Sequence, residues 1–213
     1  MQNFEKRRDR FNAFKQFENP LINVSFDLEL RDFRPYCAER QLPPFHFFLY
    51  CVLSTLNGLD NFKYRIYGGD VIKIDEFYAS YTVINQDHNL NFARFDMTFG
   101  LDEFVARSLL AKREAERSSL MINTAADLTE RELKNNFYIT CMPWLRLSAI
   151  EHPIFRHALA DIPSFAWGKY RAEESGQMTI PFAVQAHHGF VDGYHIHQFA
   201  EALAAKVAAM ISI

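Results

Sequence analysis

Two adjacent histidines near the end of the chain could do acid–base chemistry. His187 and His188 are followed by Asp192 and Gly193, which gives the pattern HHxxxDG. The ordinary pKa of histidine lies near neutrality, so a neutral imidazole can take a proton from a hydroxyl or a thiol. The same letters also fit a structural role, because histidines beside apolar strands are usually hydrogen-bonded core residues and Asp-Gly is a common turn dipeptide. The spacing favours His188 as a general base and leaves Asp192 either to assist it or to hold the loop in shape.

The elements on either side of this pattern can hold a side chain rigidly at a cleft. Residues 178–186 are predicted to form a buried β-strand, and residues 196–211 repeat apolar side chains at helical spacing. The pattern therefore lies on a strand-to-helix connection, where functional side chains are often presented. If the strand continues to His188, alternation places this side chain on the apolar face of the strand and His187 on the opposite face.

The rest of the chain mixes strands and helices without strict alternation. Further strands are predicted at 24–30, 78–84, 90–95 and 137–144, and a hairpin at 64–67 and 71–74. Further helices are predicted at 4–17, 43–56 and 101–117, and irregular segments at 118–135 and 145–164. This order predicts an α/β fold of the α+β type, in which helices pack on a mixed β-sheet.

Composition narrows the class of protein. The 213 residues predict a single domain, 1–213, and 49% of them are hydrophobic, enough for a full core. The net charge of -3 argues against nucleic acid or an anionic membrane as a partner. A polar N-terminus and the lack of a long apolar run predict a cytoplasmic protein. The widely spaced Cys37, Cys51 and Cys141 predict reduced thiols, with neither disulfides nor a metal site.

Four further segments occur in the order found in one family. They are Arg7-Arg8-Asp9-Arg10-Phe11-Asn12-Ala13-Phe14, Tyr81-Thr82-Val83, Thr140-Cys141-Met142-Pro143-Trp144 and Trp167-Gly168-Lys169-Tyr170. Together with the HHxxxDG segment, which is followed by an aromatic residue and a histidine, they resemble the chloramphenicol acetyltransferase family over essentially the whole chain. The resemblance implies the two-layer sandwich of that family.

The resemblance also implies direct transfer of acetyl from acetyl-CoA to a hydroxyl, without an acyl-enzyme. His188 would take the acceptor's proton. Thr140 would replace the family's serine hydroxyl as the donor to the oxyanion, an interaction typically worth about 3 to 4 kcal/mol. Without the resemblance, Thr140 fits an ordinary β-branched strand residue. An ion pair between Arg7 and Asp192 is implied as well, whereas Arg7 on its own could extend to solvent or meet a buried acid.

Matches outside the histidine motif concern the coenzyme and the acceptor. Lys169 and Tyr170 resemble the family's pair near the coenzyme, where a cation and an aromatic ring suit a phosphorylated adenosine. Taken alone, they would be ordinary surface residues. Phe14 and Phe92 match positions that line the acceptor pocket, although both also suit the core. Ala166 lies where many members carry a threonine near the acceptor. These matches imply chloramphenicol or a similar small hydroxylated molecule as the acceptor, and a role in antibiotic resistance.

Three other interpretations fit parts of the pattern. Larger acyltransferases and peptide-synthetase condensation domains join two such domains in one chain. This chain supplies only one, so the second wall of the cleft must come from another copy, and the resemblance implies a homotrimer with its active sites between subunits. Dihydrolipoyl acyltransferase cores are similar in size but typically carry Asp-His-Arg where this chain has Ala186-His187-His188. A non-catalytic relative that binds a small molecule is the third, and the retained His188, Asp192 and Arg7 argue against it.

Overall fold

A mixed β-sheet forms the centre of the protein. The computed structural model describes residues 2–153, 160–172 and 177–212. The sheet has seven strands, six in the order β1-β9-β7-β6-β4-β5 and β8 paired to β9. They are β1 (Leu21–Arg31), β4 (Tyr78–Ile84), β5 (Leu90–Asp96), β6 (Tyr138–Met142), β7 (Ser164–Gly168), β8 (Arg171–Ala172) and β9 (Gln177–His187). A hairpin of β2 (Tyr64–Tyr67) and β3 (Asp70–Lys73) stands apart from this sheet.

Helices cover one face of the sheet. The described helices are α1 (Gln2–Glu5), α2 (Arg8–Phe14), α3 (Phe33–Glu39), α4 (Pro44–Asn57), α5 (Leu101–Arg117), α6 (Glu130–Leu133) and α7 (Gly193–Ile211). Of these, α3, α4, α5 and α7 pack on the sheet. Aromatic rings fill the space between α4, α7 and the sheet: Phe182 of β9 packs against Trp167 of β7, Phe48 of α4 and Phe199 of α7. Burial of these rings from water is the main term that holds the two layers together.

The opposite face of the sheet is only partly covered. On β1, Leu28 and Leu30 are buried towards the helices, while Asp27 and Glu29 are exposed on the other side. Residues 145–153 cross part of this second face, where the backbone N–H of His152 donates to the side-chain oxygen of Gln185 at 2.9 Å. Strand β9 is therefore buried on both sides, as expected of a central strand.

The register of the strands aligns several candidate residues on this second face. Ala183 of β9 pairs with Ala166 of β7, and Ala166 pairs with Thr140 of β6. The pairing of the next two strands extends the same row to Thr82 of β4 and Phe92 of β5. Residues in one row point to the same side, so these side chains share the face that the helices leave free.

The predicted mixed sheet with packed helices is confirmed, but helix α3 and the two-residue strand β8 were not predicted, and three other local corrections apply. The helix expected over 4–17 is two short helices that end at Phe14, because Arg7 between them leaves helical geometry at φ -115 and ψ 0. The irregular segment expected at 145–164 ends in strand β7, whose residues are all buried and so lack alternation. Residues 154–159 of that segment lie outside the described residues. In the segment 118–135, a short helix, α6, was not predicted.

Among the described residues, no helix combines the length and the apolar character needed to cross a membrane.

Candidate active site

The loop 188–192 connects β9 to α7 and carries the predicted base. Strand β9 ends at His187, and α7 begins at Gly193. The backbone N–H of His188 donates to the carbonyl of Pro20 at 2.7 Å, which anchors the start of the loop beside β1. Phe190 in the middle of the loop is buried and stacks on Phe11 with ring centroids 5.1 Å apart. The loop is thus fixed by α2 and by the sheet.

The imidazole of His188 is held in one orientation. Its Nδ1 lies 3.2 Å from the carbonyl oxygen of Val191. A carbonyl oxygen can only accept, so Nδ1 carries the proton and Nε2 keeps a free lone pair. The ring of Phe14 stacks on the imidazole, with centroids 4.0 Å apart and planes 20° apart. The half-buried His188 therefore presents a basic nitrogen that has no hydrogen-bond partner among the described residues.

Arg7 clamps the loop from the N-terminal segment. Its guanidinium donates to a carboxylate oxygen of Asp192 at 3.0 Å, to the carbonyl of Gly189 at 3.3 Å and to the carbonyl of His188 at 3.4 Å. The ion pair between Arg7 and Asp192 that the resemblance implies is thereby confirmed. Arg7 touches the backbone of His188 but not its ring, so its contacts fix the loop.

Asp192 makes a different set of contacts with each carboxylate oxygen. Oδ2 faces Arg7, while Oδ1 accepts from the backbone N–H groups of Tyr194 and His195 and lies 2.8 Å from Nδ1 of His195. Asp192 is therefore the N-cap of α7. Burial opposes its ionisation, but the hydrogen bond from Arg7 and the nearby charge of His195 outweigh burial and lower the pKa of the carboxyl. Its hydrogen bonds shape the loop, and none of them reaches the ring of His188.

His187 occupies a different environment from its neighbour. It is 3% exposed, and its Nδ1 accepts the backbone N–H of Gly189 at 3.0 Å. Burial is the main cause that lowers its pKa to about 4. A Cβ at Gly189 would lie 2.9 Å from the His187 ring and 2.9 Å from the Cα of Phe11, so this position has no room for a side chain. The first histidine is thus a neutral packing residue.

Thr140 is remote from His188 within one chain. The register places Thr140 level with Ala183, two strands from β9. At about 3.3 Å per residue and about 4.8 Å per strand, the Cα atoms of Thr140 and His188 are roughly 19 Å apart. The hydroxyl of Thr140 makes no hydrogen bond within the described part of the chain. We call Arg7, Phe14, His188 and Asp192 the histidine half-site, and Thr140, Ala166, Lys169 and Tyr170 the threonine half-site.

The remaining candidates lie on or near the threonine half-site. Ala166 is fully buried beside Thr140, and Phe92 is half-buried in the same row, two strands beyond it. Lys169 and Tyr170 follow the end of β7 and are both exposed. Lys169 lines a groove of about 380 Å³ between the segment 146–148 and strands β1 and β9. Among the described residues, no cluster of histidine, cysteine, aspartate or glutamate is arranged to hold a metal ion.

Sequence reasoning missed the groups that act through the backbone. The carbonyl of Val191 sets the tautomer of His188, and the missing side chain of Gly189 lets α2 approach the loop. A carbonyl leaves no signal in the sequence, because every residue has one. Gly189 directly after the two histidines was a visible signal, since glycine often marks a close backbone approach.

The family model, the curated relatives and the solved structure described next are all chloramphenicol acetyltransferases. A family described as chloramphenicol acetyltransferase matches residues 2–204. A chloramphenicol acetyltransferase of Bacillus pumilus is 22% identical over 92% of this chain and 87% of its own length. One from Clostridium perfringens is 25% identical over 94% of this chain and 96% of its own. A solved chloramphenicol acetyltransferase structure superposes with a TM-score of 0.85 at 22% identity, covering 94% of each chain.

Proposed function

The chain belongs to the chloramphenicol acetyltransferase family and is an acyltransferase, and from this premise we propose that it transfers acetyl from acetyl-CoA to a hydroxyl of chloramphenicol or a similar small molecule. The observation that carries the proposal is the geometry of His188. Its Nδ1 donates to the Val191 carbonyl, which leaves Nε2 as a base on a clamped loop. A positioned base of this kind is what direct transfer to a hydroxyl requires.

The proton movements follow from this arrangement. Acetyl-CoA supplies an acetyl group activated as a thioester. Nε2 of His188 takes the proton of the acceptor hydroxyl as its oxygen bonds to the acetyl carbon, and it returns that proton to the departing sulfur as the C–S bond breaks. Because Phe14 stacks on the ring and the Val191 carbonyl holds Nδ1, the imidazole keeps its position through both steps. Arg7 and Asp192 are positioning residues that hold the loop.

Thr140 supplies the second catalytic group of the proposal. Its hydroxyl can donate to the thioester oxygen as that oxygen gains negative charge, an interaction typically worth about 3 to 4 kcal/mol. Since Thr140 has no competing hydrogen bond among the described residues, its hydroxyl proton is available. Its neighbours on β6 and β7 form a rigid strand pair that fixes its direction.

A second copy of the chain completes the site. Thr140 and His188 of one chain are roughly 19 Å apart, too far for both to touch one reacting carbonyl. We propose that the protein assembles as the homotrimer that the family resemblance implies, with His188 of one subunit meeting Thr140 of the next. Exposed apolar side chains near the uncovered face of the sheet support this assembly, since a monomer would leave them in water: Tyr138 is 47%, Trp144 59% and Leu145 48% exposed.

Different residues are proposed to contact the coenzyme and the acceptor. Lys169 and Tyr170 offer an exposed cation and an exposed ring for the adenosine end of acetyl-CoA. Phe14, stacked on His188, and Phe92, in the row of Thr140, offer aromatic walls for a flat acceptor. Ala166 lies beside Thr140, where it would adjoin the acceptor.

A thiol-release assay tests the proposal directly. The purified protein is incubated with acetyl-CoA and chloramphenicol, and the free thiol and the acetylated product are both measured. We expect stoichiometric thiol and O-acetylated product, essentially abolished in His188→Ala while CoA binding persists. The exposed His197→Ala serves as the matched control and keeps its turnover. Near-normal turnover by His188→Ala would show that another group is the base.

The cytoplasmic location, the role in antibiotic resistance and the single-domain organisation over 1–213 stay predictions from the sequence.

A further inference from the structure

The carbonyl of Phe190, in the middle of the loop 188–192, is held by a residue outside the histidine half-site. The side-chain amide of Asn61 donates to this oxygen at 2.8 Å. A carbonyl can only accept, so the amide nitrogen of Asn61 is the atom that faces it. The two loop carbonyls that Arg7 contacts are at 3.3 and 3.4 Å, so the bond from Asn61 is shorter than either of them. The loop is therefore clamped from two separate segments of the chain.

The bond from Asn61 fixes the peptide unit that joins Phe190 to Val191. A peptide unit is planar, so its carbonyl and its N–H turn together. Asn61 holds the carbonyl end, and at the other end the N–H of Val191 donates to the carbonyl of His187 at 3.0 Å. Only the two backbone dihedrals of Val191 separate this unit from the Val191 carbonyl, which accepts the Nδ1 proton of His188 at 3.2 Å. The acceptor that sets the tautomer of His188 thus depends on Asn61 for its position.

Asn61 itself lies on a short 3₁₀ helix, Asp60–Lys63, that is anchored on two sides. The ring of Phe62 is buried against α7. The carboxylate of Asp60 lies 3.0 Å from the ammonium of Lys73 on β3. The hairpin of β2 and β3, which stands apart from the main sheet, therefore supports the segment that presents Asn61 to the loop.

The surroundings of Asn61 leave room for other side chains. Asn61 is half-buried and borders an open depression of about 320 Å³, which Gln198 of α7 also lines. A side chain of similar or slightly larger size can extend into this depression without displacing the core. The hydrogen bond to Phe190 can therefore be removed or restored by substitution at position 61.

We propose that Asn61 is a positioning residue for the base: its amide holds the Phe190 carbonyl and, through the next peptide unit, keeps the Val191 carbonyl against Nδ1 of His188. This inference rests on the proposed acetyl transfer and adds to it a residue from a segment that the histidine motif does not include. Asn61 touches neither the ring of His188 nor the reacting atoms, so it acts only through the backbone of the loop.

Three variants at position 61 separate the hydrogen bond from the size and charge of the side chain. Asn61→Leu and Asn61→Asp keep its size but lose its N–H. We expect kcat for chloramphenicol acetylation to fall about tenfold in both, with the KM for acetyl-CoA changed less than about twofold, because a misplaced base slows the chemical step and not binding. Asn61→Gln keeps the amide on a longer stem and should recover most of kcat. Gln198→Ala, an exposed residue of the same depression, is the matched control and should change neither constant.

Nitrogen NMR with isotopically labelled histidine reads the tautomer of His188 in the absence of substrate. The wild type should carry the proton on Nδ1, as the Val191 carbonyl requires. Asn61→Leu and Asn61→Asp should show a mixture of the two tautomers, whereas Asn61→Gln should resemble the wild type. A role in stability alone would lower the midpoint of thermal unfolding and leave the tautomer unchanged.

The outcomes separate this role from the proposed function. An unchanged tautomer in Asn61→Leu and Asn61→Asp, or losses in Asn61→Gln equal to theirs, would overturn the positioning role while leaving acetyl transfer intact. A mixture of tautomers in these two variants of a protein that releases no thiol from acetyl-CoA would support the positioning role and reject the proposed acetyl transfer.

Discussion

The two half-sites differ in how completely one chain builds them. In the histidine half-site, every polar group that shapes the loop is paired: Arg7 bonds to two carbonyls and to Asp192, and Asp192 caps α7. In the threonine half-site, the hydroxyl of Thr140 and the cation of Lys169 have no partners within the described residues. Folding of one chain thus pairs the polar groups that shape the histidine half-site, whereas it leaves the hydroxyl of Thr140 and the cation of Lys169 without partners in the described residues.

This difference fits the roles that we propose for the two half-sites. A base must keep its orientation and its tautomer before the acceptor arrives, so its surroundings are completed by the chain itself. A surface that receives a coenzyme and a neighbouring subunit must leave its donors and apolar side chains free. The exposed Tyr138 and Trp144 near Thr140 fit this description, whereas the aromatic residues that support the histidine loop, Phe11 and Phe190, are buried.

Mixed oligomers offer the strongest test of the proposal that one site takes His188 from one subunit and Thr140 from another. His188→Ala and Thr140→Val should each be nearly inactive alone, because each lacks one of the two groups that we propose to be catalytic. When the two variants are co-expressed, interfaces that join an intact His188 to an intact Thr140 should form, and activity should recover to about a quarter of the wild-type value for random assembly. Thiol release from the purified mixture measures this recovery.

The control for this experiment mixes the two variants after separate assembly. Such a mixture should stay inactive until the subunits exchange. If co-expression restores nothing, both groups act within one chain, or they do not share a site. A monomer in light scattering with full wild-type activity would contradict the assembly in the same way.

The ion pair of the histidine half-site should show coupling. Arg7→Ala and Asp192→Asn should each lower turnover by roughly ten- to a hundredfold, since a misplaced base is costly, and each should lower the midpoint of thermal unfolding. The double variant should be little worse than either single one, because contacting residues are not additive. A double-mutant cycle of kcat and of the unfolding midpoint measures this coupling. Purely additive losses would mean that the contact does not hold the loop.

The sequence predicted the histidine half-site better than the threonine half-site. Its members come from two segments with clear motifs, so the pairing of Arg7 with Asp192 followed from the resemblance and is confirmed. Strand β7 was not predicted, because its five residues are all buried and show no alternation. Helix α6 was predictable, since Thr129 and Glu132 form the sequence pattern of a capping box.

The separation of Thr140 from His188 could not be derived from periodicity. It depends on the order of β9, β7 and β6 across the sheet and on their register, and both are properties of long-range pairing. Local spacing fixes which residues share a face of a strand, but it does not fix which strands are neighbours. The sequence therefore identified the candidate residues, and the sheet showed that they form two groups.

The buried first histidine of the motif should make the stability of the protein depend on pH. The pKa of the buried His187 is lowered from 6.5 to about 4, so the unfolded chain takes up a proton first as the pH falls. The neutral folded form is thus favoured above pH 6.5, and this stability is lost between pH 6.5 and 4, by about 2 kcal/mol at pH 5. His46 contributes in the same direction, because burial lowers its pKa to about 4 as well.

Urea unfolding at pH 7 and pH 5, at one protein concentration, measures this effect. The loss of unfolding free energy on acidification should be smaller in His187→Asn than in the wild type, since one of the two buried imidazoles is gone. The exposed His197→Asn is the control and should keep the wild-type pH dependence. An unchanged pH dependence in His187→Asn would mean that His187 is not a neutral packing residue.

The smallest expected effect concerns the acceptor side of the threonine half-site. Ala166→Thr adds a hydroxyl beside Thr140, as the resemblance implies for many family members. A single hydrogen bond to the acceptor is worth about 0.5 to 1.5 kcal/mol, so kcat/KM for chloramphenicol should rise several-fold. Ala166 is fully buried in the chain, so the larger side chain should also lower the free energy of unfolding by about 1 kcal/mol or more.

Ala183→Thr separates these two effects. Ala183 is 3% exposed and pairs with Ala166 in the same row, one strand further from Thr140. It should therefore show the loss of stability without the gain in kcat/KM. If Ala166→Thr behaves like Ala183→Thr, position 166 does not adjoin the acceptor, and the acceptor pocket lies nearer Phe92. If chloramphenicol is not acetylated even by Ala166→Thr, the acceptor is a different hydroxyl compound, because membership of the acyltransferase family does not depend on this pocket.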